Sequence, residues 1–142
     1  MRLLMIAALL AFTFTLNGSV TAGTTPRDPT AELYIGWPND GEVIKKRQIR
    51  VWFGLRGMGV APAGVDVANT GHHHLIIDSD TPPAGMPIPM DERHRHFGGG
   101  QTEVSVQLPP GSHTLQLVLA DGTHVPHNPA VMSQRVTVTV DP

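Results

Sequence analysis

The chain of 142 residues contains no cysteine. That excludes a disulfide framework, a thiolate zinc finger, an iron–sulfur centre, a cysteine nucleophile and a lipid-anchored cysteine. Charge is sparse: Asp, Glu, Lys and Arg together make up 15% of the residues and the formal net charge is -2. No basic field exists to attract nucleic acid. Aromatic residues are only 5%, too few for a base-stacking platform. No stretch after the first residues is apolar for long enough to cross a membrane. What the chain has in excess is glycine (15), proline (13) and histidine (8).

The N-terminus reads as an address. Met1-Arg2 gives a short positive start, Leu3 to Leu16 is almost unbroken apolar sequence, Asn17-Gly18-Ser19 interrupts it, and Val20-Thr21-Ala22 supplies small residues for cleavage. This three-part layout predicts a secretory signal peptide over residues 1–22, too short for a membrane span. A periplasmic or secreted protein is expected, with no membrane span in the mature chain. Residues 23–30 are small, polar and Pro-containing, and read as a flexible tail before a single domain over 31–142.

Within that domain short alternating runs are separated by turn chemistry. Glu32–Trp37 ends at Pro38-Asn39-Asp40-Gly41, and Gln48–Leu55 alternates Ile49, Val51, Phe53 and Leu55 against polar or small neighbours. Further strands are predicted over His72–Asp78, over Thr102–Leu108, through His113, Leu115, Leu117 and Leu119, and over Arg135–Val140. Residues 57–70 and 82–97 read as loops. No mature segment holds a helical period. The expectation is an all-β fold, an antiparallel immunoglobulin-like β-sandwich of about seven strands, with a small barrel as the alternative.

The histidines are clustered. In Gly71-His72-His73-His74-Leu75-Ile76-Ile77-Asp78 a strand sends His72 and His74 to one face, about 6–7 Å apart, and His73 to the other. His94 and His96 repeat the spacing, and His124 and His127 flank Val125-Pro126. Imidazole is the common nitrogen ligand for copper, zinc, nickel and iron. Metal ligands are therefore sought among His72, His74, His94, His96, His124 and His127, with Asp78, Asp80, Asp91 and Asp121 near enough in sequence to complete or orient a shell. Met58, Met86, Met90 and Met132 are soft side chains that either fill gaps or favour reduced copper. His113, in phase with Leu115 and Leu117, reads as a satisfied core histidine.

Other motifs carry less. Gly98-Gly99-Gly100 lacks the Lys-Ser/Thr and the helix of a phosphate loop, and Ser112-His113 lacks the flanking glycines of a nucleophile elbow. Lys45-Lys46-Arg47 reads as a solvated strand edge.

The ordered series Gly71–Asp78, His94–Glu103, Pro110–Leu117 and His124–Pro129 resembles a family of small exported bacterial domains, domain of unknown function 4399, over roughly residues 50–140. The resemblance implies a family and an exported setting, and no reaction. A looser likeness, at the level of fold, is to exported copper proteins on β-sandwich scaffolds.

Three functions follow for test. The first is an exported protein that binds a transition metal, copper before zinc, as carrier, buffer or sensor, with the ion as its partner. The second is a metal-free structural or interaction module of the cell envelope, in which the imidazoles form a buried network and an envelope protein is the partner. The third is an enzyme using a bound metal, which needs an open coordination position and a pocket.

Overall fold

The computed structural model describes residues 25–142; the signal-peptide expectation for 1–22 lies outside them. Among the described residues there are ten strands and no helix. They are β1 (Glu32–Trp37), β2 (Glu42–Ile44), β3 (Gln48–Arg56), β4 (Gly59–Val60), β5 (Thr70–Ile77), β6 (His94–His96), β7 (Glu103–Gln107), β8 (Gly111–Ala120), β9 (Pro126–Met132) and β10 (Val136–Val140).

Two sheets form, in orders β1-β3-β7 and β2-β10-β8-β5-β4, with β6 added on β5 and β9 on β8. Neither closes into a barrel. Most pairs are antiparallel as expected, but β2 runs parallel to β10 and β4 parallel to β5. The strands beyond the expected number are mainly short. β2 and β4 are too brief to show a period, and β6 lies inside the Pro-rich segment read as loop. β9 carries Pro126 and Pro129, which local sequence rules count against a strand. It is held by pairing with β8.

Alternation places Leu33, Ile49, Val51, Phe53 and Val106 of the smaller sheet against Leu75, Ile77, Leu115, Leu117, Leu119 and Val138 of the larger one. This is a sandwich core built from Val, Leu and Ile, each fully buried side chain contributing about 1.5–3 kcal/mol. β5 is different: it is buried from Gly71 to Ile77 without alternation. A strand with both faces covered reads as a continuous run. Its inner face carries His73, Leu75 and Ile77. Its outer face carries His72, His74 and Ile76, and there Ile76 joins Val118, Ala120 and Ile88 in a second apolar cluster. Ile88 comes from the long segment 78–93, which folds back over this outer face and is fixed by Ile88 N–H donating to the His124 carbonyl at 2.8 Å.

Residues 25–30 make specific contacts. The Thr25 carbonyl accepts from Asn128 N–H at 3.0 Å and from His127 Nδ1 at 3.2 Å. The Thr25 hydroxyl donates to Asp121 at 2.6 Å. The Asp28 side chain closes a turn on Thr30.

Candidate metal centre

Cross-strand register assembles the site. β6 pairs with β5 so that His96 stands opposite His74, and His94 opposite Ile76. His72 and His74 share the outer face with His96 beside them. The fourth ring arrives from the turn between β8 and β9, where His124 has a left-handed backbone (φ 69°), a conformation histidine tolerates better than most side chains. Asp121 builds that turn. Its carboxylate accepts from Thr123 N–H at 2.8 Å, Thr123 hydroxyl at 2.7 Å and Val125 N–H at 3.2 Å, while His124 N–H donates to its carbonyl at 3.0 Å.

The result is a group of four imidazoles, His72, His74, His96 and His124, whose ligand atoms all lie within 4.8 Å of one another. His74 Nε2 is 3.0 Å from His72 Nε2, and His72 Nε2 is 3.1 Å from His124 Nδ1. Ring centroids in the group are separated by 4.8 to 6.0 Å. A tetrahedral ion bound at about 2.0–2.1 Å from each nitrogen sets nitrogens about 3.3 Å apart and ring centroids about 5 Å apart. Most ring pairs already stand near that separation, and the His74–His124 pair, with centroids 6.0 Å apart, must close by about 1 Å to share one ion.

Electrostatics keep the rings ready to coordinate. His72 and His74 are completely buried, and His96 and His124 partly so. Burial first, then repulsion from neighbouring imidazoles, lowers His72 to a pKa of about 4 and His74 to about 3. Burial and His124 also lower His96. Neutral imidazole is the form that ligates, so at neutral pH these three carry free lone pairs. The nearby charge opposing the shift of His72 is Asp121. Desolvation disfavours the Asp121 carboxylate, but hydrogen bonds from Thr25, Thr123 and Val125 outweigh it and hold its pKa below the usual value. It remains an anion beside the cluster. The second ring nitrogens of His72 and His74, both Nδ1, are buried without a partner, so no neighbouring oxygen fixes their tautomer.

Glycines make room for two of the rings. A Cβ on Gly98 would lie 2.4 Å from His96 Cε1, so the first glycine of the triplet gives His96 its place. A Cβ on Gly71 would lie 2.5 Å from the Ala120 carbonyl and 2.9 Å from His127 Nε2.

Two of the six histidines singled out by spacing are not gathered. His94 shares the outer face but sits one pairing step away, where its Nδ1 donates to Asp91 at 2.9 Å. His127 donates to the Thr25 carbonyl, and its Nε2 is buried without a partner. The carboxylates near these pairs take separate roles: Asp78 holds His113, Asp80 meets Arg135, Asp91 holds His94, and Asp121 orders the turn of His124. Met86 and Met90 are more than half exposed, and Met132 lines an apolar cavity of about 320 Å³ with Val118, Pro126 and His127. None of the four clustered histidines lines that cavity.

His73 and His113 belong to the core side. His73 Nδ1 donates to the Gln101 carbonyl at 3.0 Å and its ring lies 5.1 Å from Phe53. His113 Nδ1 donates to Asp78 at 2.6 Å and Nε2 to the Pro109 carbonyl at 2.8 Å, the satisfied core histidine expected from its phase.

Among the described residues no helix is long and apolar enough to cross a membrane. No curated protein matches the chain. The family described as domain of unknown function (DUF4399) matches residues 51–141, more than half of the chain and the span that holds all four clustered histidines. The chain belongs to the DUF4399 family.

Proposed function

We propose that this is an exported metal-binding protein that takes one transition-metal ion on His72, His74, His96 and His124, and serves as its carrier or buffer. The observation that carries the reading is the convergence of four imidazoles on the covered face of one sheet. Copper is the first candidate and zinc the second. An all-imidazole set suits both, and copper binds such sets most strongly among the divalent ions. Four protein ligands saturate a tetrahedral ion and leave no position for substrate, which favours cargo over catalysis. The two-sheet packing supports an immunoglobulin-like sandwich as the scaffold. The N-terminal pattern supports a periplasmic or secreted setting.

The test is metal content and competitive chelator titration of the purified, metal-stripped protein with Cu⁺, Cu²⁺ and Zn²⁺. One ion per chain is expected, with tight binding abolished in the His72→Ala/His74→Ala variant and retained in His94→Ala. Unchanged stoichiometry in the double variant overturns the assignment. Absence of tight binding in the wild type leaves the four rings as a metal-free network, a reading that the imidazole contacts at 3.0 and 3.1 Å themselves support.

A further inference from the structure

A second site lies at the open edge between the two sheets, away from the outer face that carries the four histidines. A cavity of about 480 Å³ is lined there by Ile77, Asp78, Glu92, Arg93, Arg95 and His113, with the β7–β8 connection as its far wall. The volume falls within the range of small-molecule sites.

The chemistry of the walls is uneven. In β6, Arg95 stands opposite Leu75, an inward residue, so it leaves the strand on the core side while His94 and His96 leave on the other. Among the described residues the Arg95 side chain has no hydrogen-bond or ion-pair partner, and the Arg93 side chain reaches only the Asp78 carbonyl at 3.4 Å. Both arginines line the cavity and both are exposed. The remaining charges have partners of their own. His113 places both ring nitrogens on acceptors, Asp78 and the Pro109 carbonyl, so with both bonds made the ring is a cation paired with the Asp78 carboxylate. The second oxygen of Asp78 accepts from Thr114 N–H at 2.8 Å. With that pair neutral overall, the lining carries two arginines against the single carboxylate of Glu92. A local excess of positive charge in a chain of formal net charge -2 is not part of a general basic surface.

We infer that this cleft binds a small anion through the paired donors of Arg93 and Arg95. Planar guanidinium forks match carboxylate and phosphate oxygens alike, so the recognised chemistry is an oxyanion, from a phosphate or from a carboxylic acid. His113, Asp78 and Thr114 hold the floor rigid behind the two arginines.

The probes are inorganic phosphate and succinate, each titrated into metal-stripped protein at constant ionic strength and followed by amide chemical shifts. Saturable binding below about 1 mM is expected for one of them, with shifts centred on residues 92–95 and 107–113. Saturation by phosphate alone assigns a phosphate ligand, and by succinate alone a carboxylate. Arg93→Gln and Arg95→Gln should each weaken binding by about tenfold or more, Arg95→Lys should restore part of it, and Arg50→Gln on the other sheet should leave it unchanged. The inference is overturned if neither anion saturates by about 10 mM, or if the arginine variants bind as the wild type does. Arg95 would then be an inward charge that guards the short edge strand β6 against pairing with another chain.

Discussion

Replacing His73 by leucine should remove a defined part of the protein's acid sensitivity. His73 is fully buried between the sheets beside Phe53, whose ring also packs against Phe97. Its Nδ1 proton is spent on the Gln101 carbonyl, and its Nε2 lies in the core with no acceptor for a second proton. Burial therefore lowers its pKa from 6.5 to about 4, against the raising effect of the Gln101 hydrogen bond. In the unfolded chain the ring takes a proton near 6.5, and in the folded chain only near 4. Between those values the unfolded state binds more protons, so stability falls as pH falls and levels off below the folded pKa. From pH 7 to pH 5 this group alone costs about 2 kcal/mol, at 1.36 kcal/mol for each pKa unit. Leucine has a similar volume and does not titrate. At pH 7 the variant should differ by about 1 kcal/mol in either direction, as a hydrogen bond is exchanged for apolar packing. Urea unfolding of metal-stripped wild type and variant at both pH values gives the double difference. His72 and His74 titrate in both proteins and largely cancel. A wild-type loss that exceeds the variant's by about 2 kcal/mol is expected. Equal losses would refute the burial argument.

The metal centre and its supports yield further expectations. Gly98→Ala should weaken metal binding as much as His96→Ala does in a chelator competition, because the new methyl occupies the place of the His96 ring. Asp121→Asn should lower metal affinity by about 10–100-fold, since the turn of His124 loses its charged acceptor and the site its nearby anion. The contribution of His72 and His74 to metal binding, followed by calorimetry, should persist from pH 7 down to about pH 5, because both remain neutral well below the usual histidine range. In the His96→Ala/His124→Ala variant, a steep loss of the remaining binding centred at 6.5 would contradict their burial. Burial opposes charge on His113, but its bonds to Asp78 and Pro109 raise its pKa overall. Its stabilising contribution is complete below 6.5 and lost as pH rises through the folded value, so His113→Leu should flatten the alkaline side of the stability profile measured by thermal unfolding.

The alternating runs and turn residues of this chain were enough to establish an all-β domain and six of its strands. Alternation reports directly which face of a strand meets the core. The sequence also identified the His72/His74 pair, because two residues apart on any strand share a face. It did not separate His96 from His94, or His124 from His127, since their spacing is compatible with several arrangements. That choice belongs to the pairing register of β5 with β6 and to the Asp121 turn. The register joins segments about twenty residues apart, and the turn, local in itself, is carried to the site by the pairing of β8 with β5, which no local period encodes. The same holds for Arg95, turned to the core side by its register. Residue type and local period set the inventory of ligands and the strands that carry them. Long-range hydrogen-bonding register decided which nitrogens meet, because only packing fixes where separate strands stop relative to one another.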